Sequence, residues 1–117
     1  MGETVSLAWG EKVYVDESVK DPDRIKKKLR RGDYERRLYL VTLSATPGNM
    51  LEIFSSIFLR QELFLDRCQP VVGMAIGKER AIRLILRILE ETYRQRSDYR
   101  VDLFLKNRRS WSPDFSQ

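Results

Sequence analysis

Val71-Val72-Gly73-Met74-Ala75-Ile76-Gly77-Lys78-Glu79-Arg80, running on into Ala81-Ile82-Arg83-Leu84-Ile85-Leu86-Arg87-Ile88-Leu89, is the stretch that decides the fold. An unbroken apolar run of strand length stops at a glycine and a helical repeat begins at once, so the spacing predicts a buried strand from Val71 to Gly77 feeding a helix. The helix, expected over about 79–95, is two-sided. Ile82, Ile85, Leu86, Leu89 and Tyr93 form the expected inner stripe, broadened by Ala81, Leu84 and Ile88, with Arg80, Arg83, Arg87, Glu90 and Arg94 outside. A strand that ends at a glycine and a helix N-terminus also sits where open α/β sheets bind ligands.

Outward from this unit, Leu38-Tyr39-Leu40-Val41-Thr42-Leu43 is a second continuous apolar strand. Ser44 to Gly48 breaks it, and Asn49 with Glu52 three residues on has the form of a capping box. That predicts a helix from Met50 to Leu65, of which ten of sixteen residues are large and apolar. Thr4–Trp9 and Lys12–Glu17 alternate as two arms of a hairpin about Gly10-Glu11. Asp21-Pro22-Asp23 supplies an N-cap, a proline at the first helical position and an acidic first turn for a helix ending near Arg31-Gly32. Tyr99 to Leu105 alternates as a last strand. The expected architecture is a small α/β domain over 1–105, with a mainly parallel or mixed sheet of about four strands and three helices, and a polar tail over 106–117. A ferredoxin-like α+β layout, with helices on one face only, is the alternative.

A chain of 117 residues suits one domain. Its single cysteine, Cys68, allows no internal disulfide, and no segment has the composition of a signal peptide or a membrane span, so a soluble cytoplasmic protein is expected. The net charge of +5 is concentrated. Residues 20–37 hold nine basic and four acidic side chains, which accounts for the whole excess.

For catalysis the inventory is poor. The absence of histidine removes the commonest general base and zinc ligand. Cys68 has no activating pattern around it. Asp21 and Asp23 are accounted for by capping, and Glu90-Glu91 by Arg87 and Arg94 at helical spacing. Gly73 to Glu79 is not a phosphate-binding P-loop, because three residues separate the glycines and Glu79 stands where a hydroxyl is needed. No enzyme activity, cofactor or metal is expected.

Three surfaces are candidates for binding. The helix from Met50 is apolar nearly all round, so a protein partner, most simply a second copy, is expected to cover Leu51, Phe54, Phe58 and Leu59. Arg24, Lys27, Lys28 and Arg31 recur at helical spacing within the basic segment 20–37 and offer an alternative, nucleic-acid or polyanion binding. A further alternative is small-anion or nucleotide binding where the turns 44–49 and 77–79 frame one crevice, through Ser44, Thr46, Gly48, Gly77 and Lys78.

The stretches 38–53 and 71–94 together resemble small bacterial α/β proteins that carry a strand, a turn of the form Pro47-Gly48-Asn49-Met50-Leu51-Glu52-Ile53, a Val71-Val72-Gly73-Met74-Ala75-Ile76-Gly77 strand and a long helix. The resemblance implies a bacterial cytosolic origin and assigns no functional residue.

Overall fold

The computed structural model describes residues 7–46 and 49–106. The expected first hairpin arm from Thr4, Pro47 and Gly48 of the central turn, and the tail beyond residue 106 lie largely or wholly outside these residues. The element order is β1 (Trp9–Val15), α1 (Pro22–Arg30), β2 (Leu38–Leu43), β3 (Leu51–Ser55), a 3₁₀ turn (Ser56–Arg60), α2 (Glu62–Arg67), β4 (Val71–Ile76), α3 (Lys78–Arg96) and α4 (Val101–Lys106). One mixed sheet in the order β1-β4-β2-β3 joins the strands. Only β1 and β4 run parallel; β4 with β2 and β2 with β3 are antiparallel.

Strand alternation sends side chains into two apolar layers, one on each side of this sheet. Val13, Val15, Leu38, Leu40 and Met74 face α1, the 3₁₀ turn and α2, where Leu29 and Leu59 close the layer. Tyr14 and Val41 face α3 and α4, packing with Leu84, Ile88, Val101 and Phe104. Helices cover both faces, as the α/β reading expects and the ferredoxin-like alternative does not. Gly73 suits that close packing: a Cβ there would stand 3.0 Å from Leu84 Cδ2 and 3.3 Å from Val41 Cβ, so these neighbours would have to give way. Beside it β4 carries one residue more than β2, because Val41 pairs with Gly73 but Thr42 with Val71.

The capping signals at the first helix are read correctly: Asp21 Oδ1 accepts from the Arg24 amide at 3.2 Å, Pro22 opens α1, and Gly32 follows it at φ +82°. Three other expectations are corrected. Residues 9–15 form one strand through Gly10-Glu11, with three more residues than β4 spends between the paired positions Trp9–Val71 and Tyr14–Gly73. Tyr99–Leu105 is not a strand; Val101, Phe104 and Leu105, spaced three and four apart, turn inward from the short helix α4.

The largest correction concerns Met50–Leu65, which is no single helix. A run so rich in apolar residues satisfies strand and helix periods alike, and two serines decide between them. Ser55 Oγ donates to the Arg36 carbonyl at 2.6 Å and accepts from the Ile57 amide at 3.3 Å, while Ser56 Oγ donates to the Glu35 carbonyl at 2.6 Å and accepts from the Glu35 amide at 3.0 Å. These bonds tie the end of β3 to the chain entering β2. A strand therefore ends there and a 3₁₀ turn begins, capped by Ser55.

Candidate protein-contact surface

α3 is anchored at both ends and along one side. Arg80 reaches Asp16 Oδ2 at 3.0 Å, and the Ser18 hydroxyl, held in the same turn, accepts from the Ile76 amide at 2.9 Å. Burial opposes charge on Asp16, but the Ser18 hydroxyl and amide and the Arg80 guanidinium together hold its carboxyl below the ordinary range. Further along, the Tyr14 hydroxyl donates to Glu91 at 2.7 Å while Arg87 bonds Glu91 at 3.5 Å and lies over the Tyr14 ring. Ser97 ends the helix in the left-handed region, at φ +65°, with its amide on the Tyr93 carbonyl at 2.7 Å.

The side turned to the sheet consists of Ala81, Leu84, Ile88 and Thr92, all buried. This corrects the expected inner stripe. Of its five members only Ile85 and Leu89 touch the core, and both are half-buried; Ile82 is 42% exposed, Leu86 59% and Tyr93 50%. The residues assigned to broadening the stripe are its centre. The sequence reading missed Ile82, Leu86 and Tyr93 as surface residues because α3 carries two apolar stripes about 120° apart, and either one alone makes an amphipathic helix.

What this exposes is a continuous apolar surface. Between α3 and the start of β3 runs an open groove of about 560 Å³, with Met50 and Leu51 on one side and Ile85, Leu86, Leu89 and Tyr93 on the other. Tyr99, 53% exposed, closes one end by stacking on Tyr93 with ring centroids 5.0 Å apart. Charges border it. Glu90 and Arg94 lie 3.7 Å apart, whereas Glu79 and Arg83 are exposed and make no ion pair among the described residues.

The expected interface residues do not make one surface. Leu51 lines the α3 groove, but Phe54 turns to the opposite side of the sheet and meets the Phe64 ring edge-on at 4.8 Å. Phe58 stacks on Phe64 at 5.9 Å and is half exposed, and Leu59 is buried in the core. A cavity of about 370 Å³ beside Phe54 and Phe64 holds Cys68 and Glu52. Burial, with the Glu52 charge adding to it, pushes the Cys68 thiol up to about 11, away from nucleophilic use.

The two turns expected to frame an anion crevice lie at opposite ends of the sheet. Gly77 donates its amide to the Arg37 carbonyl before β2, while Leu43 at the other end of β2 donates to Pro70 before β4. Roughly 20 Å of strand separates them. The antiparallel β2–β4 pairing is the cause, and residues 44–50 connect two strands instead of leading into a helix. Ser44 Oγ donates to Glu52 at 2.8 Å and accepts from the Thr46 amide at 3.0 Å, so its hydroxyl is engaged. Gly77, at φ +93°, precedes the exposed Lys78 at the start of α3, and Gly48 lies outside the described residues.

In the basic segment, Arg24 and Lys27 are exposed, but Lys28 bonds Glu35 at 2.8 Å and Arg31 approaches Asp33 at 3.9 Å. Lys26 lies over the Trp9 ring, 4.9 Å from its centroid. Among the described residues no group of three or more Cys, Asp or Glu side chains is placed to hold a metal ion, and no helix is long and apolar enough to cross a membrane. Comparisons of the chain with protein-family models, curated proteins and solved structures give no match.

Proposed function

We propose that this domain is a non-enzymatic protein-interaction module whose first partner is a second copy of itself, bound through the outer face of α3. One observation carries the reading: Leu86, Tyr93 and Tyr99, each about half exposed, line the α3–β3 groove, and Ile82, 42% exposed and one helical turn before Leu86, extends its apolar surface along α3. Apolar side chains scattered singly over a surface need no explanation, but a contiguous patch with a charged border is characteristic of a contact site. The other readings have less support. Of the four basic side chains proposed for polyanion binding, Lys28 is paired with Glu35 and Arg31 lies near Asp33, and the two turns proposed for a small anion are a sheet length apart.

Light scattering from micromolar to submillimolar concentration tests the proposal. The mass is expected to rise toward twice that of the chain, and Leu86→Glu is expected to abolish the rise without altering the circular dichroism spectrum. A strict monomer over the whole range refutes self-association, and so does a Leu86→Glu variant that associates like the parent.

A further inference from the structure

The outer face of α3 has a repeat that the inner face lacks. Ile82, Leu86, Leu89 and Tyr93 are spaced four, three and four apart, the alternation of a two-stranded helical seam, whereas Ala81, Leu84, Ile88 and Thr92 follow the contour of the sheet. Along one flank of the seam run Glu79, Arg83, Glu90 and Arg94, all exposed. From either end the flank alternates in sign, and the sign at each position is opposite to that of its mirror position. Glu79 mirrors Arg94, and Arg83 mirrors Glu90.

We infer that the second copy docks with its α3 antiparallel to the first, across a two-fold axis near the middle of the helix. Ile82 then lies against the partner's Tyr93, and Leu86 against the partner's Leu89. In an antiparallel pair each flank meets the same flank of the other helix, and the offset that sets these apolar layers brings Arg83 beside the partner's Glu90. One turn further out it brings Glu79 toward the partner's Arg94. Glu79 and Arg83, which have no ion-pair partner within the described residues, thereby gain one, and the internal Glu90–Arg94 pair joins a four-charge row repeated twice by symmetry. A parallel pair at this seam meets opposite flanks instead. It would set Lys78 against the partner's Arg83, a like-charge contact, so the charge pattern selects the antiparallel arrangement.

This inference rests on the proposed self-association and adds its register, which exchange of charges tests separately. Arg83→Glu sets a new carboxylate against the partner's Glu90 at two contacts related by the two-fold axis, and Glu90→Arg sets two guanidinium groups against each other at the same places. Each variant alone is expected to dimerise at least about tenfold more weakly than the parent. An equimolar mixture of the two restores opposite charges at every contact and is expected to recover dimerisation to within about threefold of the parent, measured by light scattering at equal total concentration. Both substitutions are at exposed positions, and circular dichroism checks the fold of each variant. If the single variants dimerise like the parent while Leu86→Glu stays monomeric, the register is wrong and the self-association stands. The same follows if the mixture stays as weak as its components. If the parent itself is monomeric at every concentration, self-association and register fail together.

Discussion

Ile88→Ala and Leu86→Ala, two residues apart on one helix, separate the two faces of α3 by their effect on stability. Ile88 is fully buried among Tyr14, Val41, Val72 and Leu84, so truncation opens a cavity against both strand and helix. Removing a buried isoleucine in this way costs about 2 to 5 kcal/mol. With an unfolding entropy near 2.1 cal/mol/K per residue, a chain of this length should lose roughly 8 to 20 °C in Tm. Leu86 keeps 59% of its surface in water. Its truncation gives up less than half of the ~1.5 to 3 kcal/mol that full burial of a leucine contributes, and the higher helix propensity of alanine offsets part of that, so the expected fall is under about 4 °C. The assay is thermal and urea unfolding by far-ultraviolet circular dichroism, at a concentration where light scattering finds monomer, so that burial between copies does not contribute. Equal losses, or a larger loss for Leu86→Ala, would refute the assignment of faces and restore the Ile82–Tyr93 stripe to the core.

Three further outcomes follow from particular contacts. Gly73→Val should lower Tm, because a Cβ at Gly73 already stands 3.0 Å from Leu84 Cδ2 and 3.3 Å from Val41 Cβ and two further methyl groups must displace these neighbours; a variant with parental Tm would show that α3 sits further from the sheet. The Asp16 carboxyl is held below its ordinary value in the folded chain, so its contribution is present at neutral pH and is lost as pH falls through the lowered folded value. Asp16→Asn should therefore narrow the stability gap between pH 7 and pH 3 in urea titrations, and an unchanged gap would exclude the Arg80 and Ser18 contacts as its source. Cys68, raised to about 11, should react with iodoacetamide at pH 8 roughly a hundredfold more slowly than a free thiol, becoming equal to it only after unfolding in urea.

Where local chemistry is one-sided, the chain declares its structure. Asp21-Pro22-Asp23 carries three agreeing signals for a helix start, and Leu38–Leu43 and Val71–Ile76 are continuous apolar runs of strand length, which become the central strands β2 and β4. Strand direction is not written in such runs. A strand buried on both faces has the same composition whether its neighbour runs parallel or antiparallel, so placing the two turns 44–49 and 77–79 together depended on an orientation that the connection lengths left open. The direction is set instead by β3, which folds back on β2 because Ser55 and Ser56 bond the chain just before β2. Such contacts join residues about twenty positions apart and have no signature in a local window.

The same limit governs the exposed apolar surface, and it explains why the sequence reading expects such a surface on Met50–Leu65 whereas the structure exposes one on α3. An excess of apolar residues does show before folding: Met50–Leu65 and α3 together hold more large apolar side chains than one sheet can cover. Folding resolves the first segment by cutting it into a strand, a 3₁₀ turn and a short helix, which spread its side chains over both faces of the sheet and bury Leu59. It cannot resolve α3 in that way, because nineteen continuous helical residues carry both stripes and the sheet takes only one. The choice between them is made by size. The buried stripe is the less bulky one: Ala81 and Thr92 are small, and Leu84 packs where β4 carries Gly73, whereas Ile82, Leu86 and Tyr93 are all large. The less bulky stripe thus packs where β4 carries its glycine, and by the same step the bulkier one, with its charged border, faces outward as the surface proposed above for a second copy.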